Sequence, residues 1–150
     1  MTAAAVLVPG YGGTAEQPIL RALAKALDVE GIRSRAVTFS TRGRRPSKDY
    51  ATEIAELRAA RDALLAEGAT AVALVGRSFG GRICAFLAAA EPPDALAILG
   101  HPIAPPGRAR PRDEAALEAA RCPTLVVQGE RDELGQIGRA SCRERVSSKV

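Results

Sequence analysis

The sequence has no tryptophan, and tyrosine and phenylalanine together supply only 3% of it. A core built around large rings is therefore excluded. Alanine, valine, leucine and isoleucine must fill it, which suits close-packed layers of strand and helix. Cysteine is scarce too. Cys84, Cys122 and Cys142 are odd in number and lack metal-ligand spacing, so neither a disulfide framework nor a cysteine metal site is expected. Cys84 and Cys122 lie in apolar surroundings and read as reduced, packed thiols, which fits a cytoplasmic protein. No apolar run approaches the roughly 20 residues of a membrane span. Met1 leads into an apolar run with no charged segment before it, so no signal peptide is expected. A concentrated positive charge is also missing. The formal charge is +4, but Ile137 to Val150 holds four basic residues and one acidic. The rest carries 17 basic against 16 acidic residues, the basic ones scattered apart from Arg42-Gly43-Arg44-Arg45 and without interleaved aromatics. That argues against nucleic-acid binding.

What is present alternates. A chain of 150 residues makes one domain. Ala4 to Val8 reads as a buried strand, followed by the glycine-rich turn Gly10 to Thr14. Pro18 to Leu27 has helical periodicity, with Ile19, Leu20, Leu23 and Leu27 on one face and Gly31 past its end. Ser34 to Phe39 reads as a strand, Ser40 to Lys48 as a basic loop and Tyr50 to Ala66 as a long helix. Further strands are expected at Ala71 to Val75, Ala95 to Leu99 and Thr124 to Val127. Helices are expected at Arg82 to Ala90 and at Asp113 to Ala120, the latter with Asp113 as N-cap. Short apolar strands alternating with helices imply an α/β fold, a three-layer sandwich around a parallel sheet in the order 2-1-3-4-5. The loops at 40–48 and 102–112 leave the carboxyl ends of strands, where open α/β sheets bind ligands.

The most informative stretch is Gly76-Arg77-Ser78-Phe79-Gly80. A G-x-S-x-G between a strand and a helix is the pattern of a nucleophile elbow. Glycines flank a turn too tight for side chains, and the serine is held exposed at the strand's carboxyl end. The other reading is a tight turn with a helix-capping serine. A phosphate loop is excluded, because no Gly-Lys-Ser/Thr follows.

Ser78 as nucleophile requires partners. An oxyanion needs backbone donors, expected from the N–H of Phe79 and from the loop after the first strand, with Tyr11 first choice and Gly12 second. A carboxylate is expected just past the fifth strand. Asp132 fits, ahead of Glu130, in the hydrolase order of serine, acid, histidine. The histidine is the gap. His101 is the only one and precedes Asp132, which favours a turn or pocket-wall residue over a general base. No cofactor or metal is implied. The expected partner is a small acyl substrate, and no oligomeric state is read.

These residues resemble the α/β-hydrolase superfamily. More narrowly, the chain is similar to bacterial dienelactone-hydrolase-like proteins grouped with testis-expressed protein 30 and a regulatory subunit of a chromatin-modifying complex. The resemblance rests on Val75 to Arg82, on Leu99-Gly100-His101-Pro102-Ile103-Ala104-Pro105-Pro106-Gly107, on Val127 to Asp132 and on Arg44-Arg45-Pro46. It covers about Val6 to Gly135. It implies an α/β-hydrolase fold, Ser78 and Asp132 as nucleophile and acid, and hydrolysis of an ester, thioester or lactone. It places the histidine one strand after Asp132, on a segment this sequence does not contain. The alternative is a non-catalytic interaction module on the same fold.

Residues 137–146 resemble something else, the translation of a sequencing adapter. Residues 1–136 are thus expected to form an incomplete domain, and 137–150 a non-native, disordered tail. A missing sixth strand would leave Thr124 to Val127 as a bare sheet edge.

Overall fold

The computed structural model describes residues 2–100 and 110–129, and the backbone of 143–148. Among the described residues there are six strands and four α-helices, alternating as far as β5. The strands are β1 (Ala3–Val8), β2 (Arg33–Ala36), β3 (Ala71–Arg77), β4 (Ala95–Leu99), β5 (Pro123–Gln128) and β6 (Arg143–Ser148). The helices are α1 (Pro18–Val29), α2 (Ala51–Ala66), α3 (Phe79–Ala90) and α4 (Pro111–Ala119). The sheet order is β2-β1-β3-β4-β5-β6. The first five strands run parallel, as the alternation of strands and helices requires.

Side-chain alternation along the strands assigns the two faces. Ala4, Val6, Val8, Val72, Leu74, Leu96 and Ile98 join the core under α2, α3 and α4. Ala5 and Leu7 turn the other way, with Ala73 and Val75, and meet Leu20 of α1. This is the expected three-layer arrangement. Helix α3 is the most enclosed, with Ile83, Cys84, Leu87 and Ala88 fully buried. Each large aliphatic side chain so buried contributes about 1.5–3 kcal/mol. Cys84 and Cys122 are buried free thiols, and burial pushes both above the usual thiol range.

Three expectations are corrected. Helix α3 begins at Phe79, not Arg82, because Gly80 and Gly81 lie inside its first turn. Glycine's poor helix propensity hides such a start. Helix α4 begins at Pro111, and its N-cap is Arg110, not Asp113. Asp113 instead points into the core, for reasons given below. The third correction concerns the tail. Arg143–Ser148 is a strand, antiparallel to β5, from Pro123↔Ser148 to Gln128↔Arg143. The edge expected to be bare is therefore paired. Ladder hydrogen bonds come from the backbone, so a segment without apolar alternation can still occupy an open edge.

Candidate active site

The site is built on the junction of β3 and α3. Ser78 is the N-cap of α3 at φ 49°, ψ −114°. This is a left-handed backbone angle that a non-glycine residue rarely adopts. The surroundings enforce it. The Ser78 N–H donates to the Leu99 carbonyl of β4 at 2.8 Å, and its carbonyl accepts from the Arg82 N–H at 3.2 Å. The flanking glycines are steric necessities. A Cβ on Gly76 would lie 2.5 Å from the Gly81 amide nitrogen, and one on Gly80 would lie 2.5 Å from the Val8 carbonyl oxygen. Gly76 thus lets the start of α3 fold back onto β3, and Gly80 lets it press against the end of β1. Strain of this kind costs about 1–3 kcal/mol and persists where the fold over-determines it.

Ser78 opens into a cleft of about 300 Å3. Tyr11, Pro46, Tyr50 and Phe79 form its walls. Aromatic edges hold them together. Phe79 meets Tyr11 at 5.7 Å and Tyr50 at 5.9 Å between ring centroids, both edge-on. The Phe79 amide is the first of the helix, where N–H groups have no partner within the helix. Tyr11 stands on the turn after β1. That turn is fixed by the Gly10 N–H donating to Gln17 Oε1 at 3.0 Å and the Gly13 N–H donating to the Gly10 carbonyl at 2.9 Å. Ser78, Phe79 and Tyr11 therefore come together at the carboxyl ends of β1 and β3. Asp132 and His101 lie outside the described residues.

Two supporting groups escape the sequence reading. Glu53 of α2 is fully buried. Its carboxylate accepts from Thr41 Oγ1 at 2.9 Å and from the Ser47 N–H at 3.1 Å, and also from the Ser47 hydroxyl. Burial raises its pKa, but the hydrogen bonds from Ser47 and Thr41 outweigh that and hold it below the usual carboxylate range. It thereby anchors the 40–48 loop that supplies Pro46 to the cleft. The available signal was spacing, since Glu53 shares a helix face with the buried Leu57 and Leu64.

The second group is the Arg82–Asp113 ion pair. The Arg82 Nε donates to Asp113 Oδ2, and Nη2 donates to Asp113 Oδ1 at 3.2 Å and to the Tyr50 hydroxyl at 3.1 Å. Burial alone would lower the Arg82 pKa, but Asp113 and Tyr50 raise it above the ordinary value, so the guanidinium stays charged. The guanidinium also lies 5.0 Å from the Tyr50 ring centroid, and that ring stacks on Phe86. Asp49 and Tyr50 both have left-handed backbones. Tyr50 thus stands as a braced wall of the cleft. Among the described residues no cluster of His, Cys, Asp and Glu could hold a metal ion, and no helix is long and apolar enough to cross a membrane.

A parallel sheet with a strained serine at a strand-to-helix turn defines the α/β-hydrolase class. The alpha/beta hydrolase domain family matches residues 1–147, and the chain belongs to it. No curated protein matches the chain. Solved structures do. An alpha-beta serine hydrolase homologue from Coxiella burnetii is 24% identical with a TM-score of 0.73, over 89% of this chain and 65% of that one. A serine hydrolase without a lid from Xanthomonas campestris is 24% identical with a TM-score of 0.67, over 87% of this chain and 60% of that one. The ferulic-acid-bound Est1E of Butyrivibrio proteoclasticus is 17% identical with a TM-score of 0.62, over 89% and 71%. At these identities the likeness is one of fold. The chain spans about two thirds of the length of the Coxiella protein.

Proposed function

We propose that the chain carries the nucleophile of a serine acyl hydrolase acting on a carboxylic ester, thioester or lactone. The observation that carries this is the Ser78 backbone, at φ 49° and ψ −114°, facing a cleft with aromatic walls. A merely structural cap would adopt ordinary extended angles and avoid the strain. In this reading Ser78 attacks the acyl carbonyl, and the Phe79 and Tyr11 amides receive the oxyanion. Asp132 is the acid that orients the base. The base itself would be a histidine following Asp132, and this sequence has none. The 150-residue form is accordingly proposed to be nearly inactive, retaining only what the oxyanion donors and binding supply. The residues from Ile137 onward are proposed to be translated adapter, and the gene's genomic sequence across that junction tests it.

A fluorophosphonate probe tests the hydrolase reading. A form extended to include the histidine should label at Ser78, and Ser78→Ala should not. Equal labelling of both would remove Ser78 as nucleophile. No labelling of either would favour the interaction-module reading.

A further inference from the structure

Most backbone amides in the turn after β1 have partners. The Gly10 N–H donates to Gln17 Oε1 at 3.0 Å, the Gly13 N–H to the Gly10 carbonyl at 2.9 Å and the Ala15 N–H to Thr38 Oγ1 at 2.8 Å. The Glu16 and Gln17 N–H groups donate to the hydroxyl and the carbonyl of Thr14. Among the described residues, the amides of Tyr11, Gly12 and Thr14 make no hydrogen bond. Tyr11 lines the cleft with Ser78 and Phe79. Gly12 lines a shallower hollow that shares Tyr11 and Phe79 with it. A backbone N–H is an obligatory donor, so two that stay free beside the nucleophile turn can serve an oxygen of a ligand.

The side chain of Gln17 decides which amides stay free. Gln17 is the N-cap of α1, yet its side chain makes no capping bond there. Glutamine is not among the residues that caps favour. The side chain instead reaches back seven residues to Gly10. Its amide also lies against Gly13, where a Cβ would sit 2.5 Å from Gln17 Nε2. Gly13 has no side chain because the Gln17 amide fills that space. Other ties hold the turn from outside. The Arg42 Nε donates to the Gly12 carbonyl and the Tyr11 hydroxyl to the Arg44 carbonyl, both at 3.3 Å. Those bonds are exposed, whereas the one from Gly10 to Gln17 is half-buried, where water competes with it less.

We propose that Gln17 is a positioning residue for the oxyanion donors. It holds Gly10, packs on Gly13 and so keeps the Tyr11 amide, with that of Gly12 beside it, in place for the oxygen that becomes charged when Ser78 attacks. This rests on the hydrolase reading and adds a residue to it. Gln17 does not touch the substrate. Its effect is to fix a donor before the reaction, so that none has to reorganise as charge develops.

The test uses Gln17→Met, which keeps the length of the side chain but offers only a weak thioether acceptor, and Gln17→Glu, which keeps an oxygen for Gly10. On the 150-residue chain, amide exchange at Gly10 should speed up at least about tenfold in Gln17→Met and stay slow in Gln17→Glu, with thermal melts to verify folding. On the histidine-containing form, hydrolysis of p-nitrophenyl acetate supplies the kinetic readout. Gln17→Met should lower kcat roughly 10–100-fold, the cost of a misplaced group. KM should stay within about twofold, because the lost interaction belongs to the transition state. Gln17→Glu should keep a kcat well above that of Gln17→Met. An unchanged kcat in Gln17→Met overturns the proposal. So does a rise in KM at constant kcat, a Gln17→Glu kcat no better than that of Gln17→Met, or unchanged exchange at Gly10. The two readings fail differently. A parent without Ser78-dependent turnover removes the hydrolase reading and the role of Gln17 with it. An active parent whose kcat survives Gln17→Met removes the role of Gln17 alone.

Discussion

Asp113 grips Arg82 through both carboxylate oxygens and so ties α4 to the helix that begins at Ser78. The pair lies almost wholly away from solvent, with side chains 12% and 4% exposed. Breaking a buried pair from one side leaves an uncompensated charge. Asp113→Ala should therefore destabilise the fold by about 3–5 kcal/mol in denaturant unfolding. The double variant Arg82→Met/Asp113→Leu should recover most of that loss. Additive losses would mean that the two groups do not act as a pair.

Ser78 should show the opposite sign. Its left-handed backbone is strained, and glycine adopts such angles freely. Ser78→Gly should raise stability by about 1 kcal/mol, the strain relieved less the extra entropy of an unfolded glycine. Ser78→Ala should bring no such gain. Chemical unfolding of the two variants side by side checks this, and a destabilised glycine variant would contradict the strain argument.

Gly80 has no room for a side chain beside the Val8 and Pro9 carbonyls. Gly80→Ala must push β1 and α3 apart, at a cost of about 1–3 kcal/mol. The same displacement moves the turn after β1 away from Ser78. Fluorophosphonate labelling of the histidine-containing form should fall as well, while Gly129→Ala, with open space around it, should lose much less packing.

Acid should loosen the 40–48 loop through Glu53. Its folded pKa is depressed, so the unfolded chain takes up the proton first as pH falls. The stability that Glu53 contributes is thus complete above the ordinary glutamate pKa of about 4.3. It is lost as pH drops from there through the lower folded value. Glu53→Gln should be less stable near neutral pH and should show a flatter dependence across that window. Parallel pH profiles of wild type and variant would contradict it.

Deleting residues 143–150 should expose the edge of β5. Because β6 supplies that strand's outer hydrogen bonds, the shortened chain should aggregate more readily, measured by light scattering at matched concentration. Unchanged solubility would mean that this pairing protects nothing.

The layering, the strand order and the elbow were legible in the sequence because they follow from local rules. Short apolar runs alternate with amphipathic helices, and a glycine-flanked serine marks the one turn that must be tight. The strand at Ser34 to Phe39 proved shorter, Arg33–Ala36. Its later residues belong to the loop, whose contacts set its path. Asp113 read as a cap because caps are local, whereas its true partner lies 31 residues earlier on another helix. Glu53 carries no mark in the sequence, because Thr41 and Ser47, which close over it, lie outside its helix.

By itself, then, the sequence determined the class of fold and the position of the nucleophile candidate. Strand period, helix period and the absence of side chains at Gly76 and Gly80 are properties of neighbouring residues. Tertiary structure alone decided where the charges of the described residues lie. Asp113 and Glu53 are buried away from the cleft, while Arg82 and Arg110 line it. That outcome depends on residues far apart in the chain meeting in one place, where a low-dielectric interior makes each unpaired donor or charge costly.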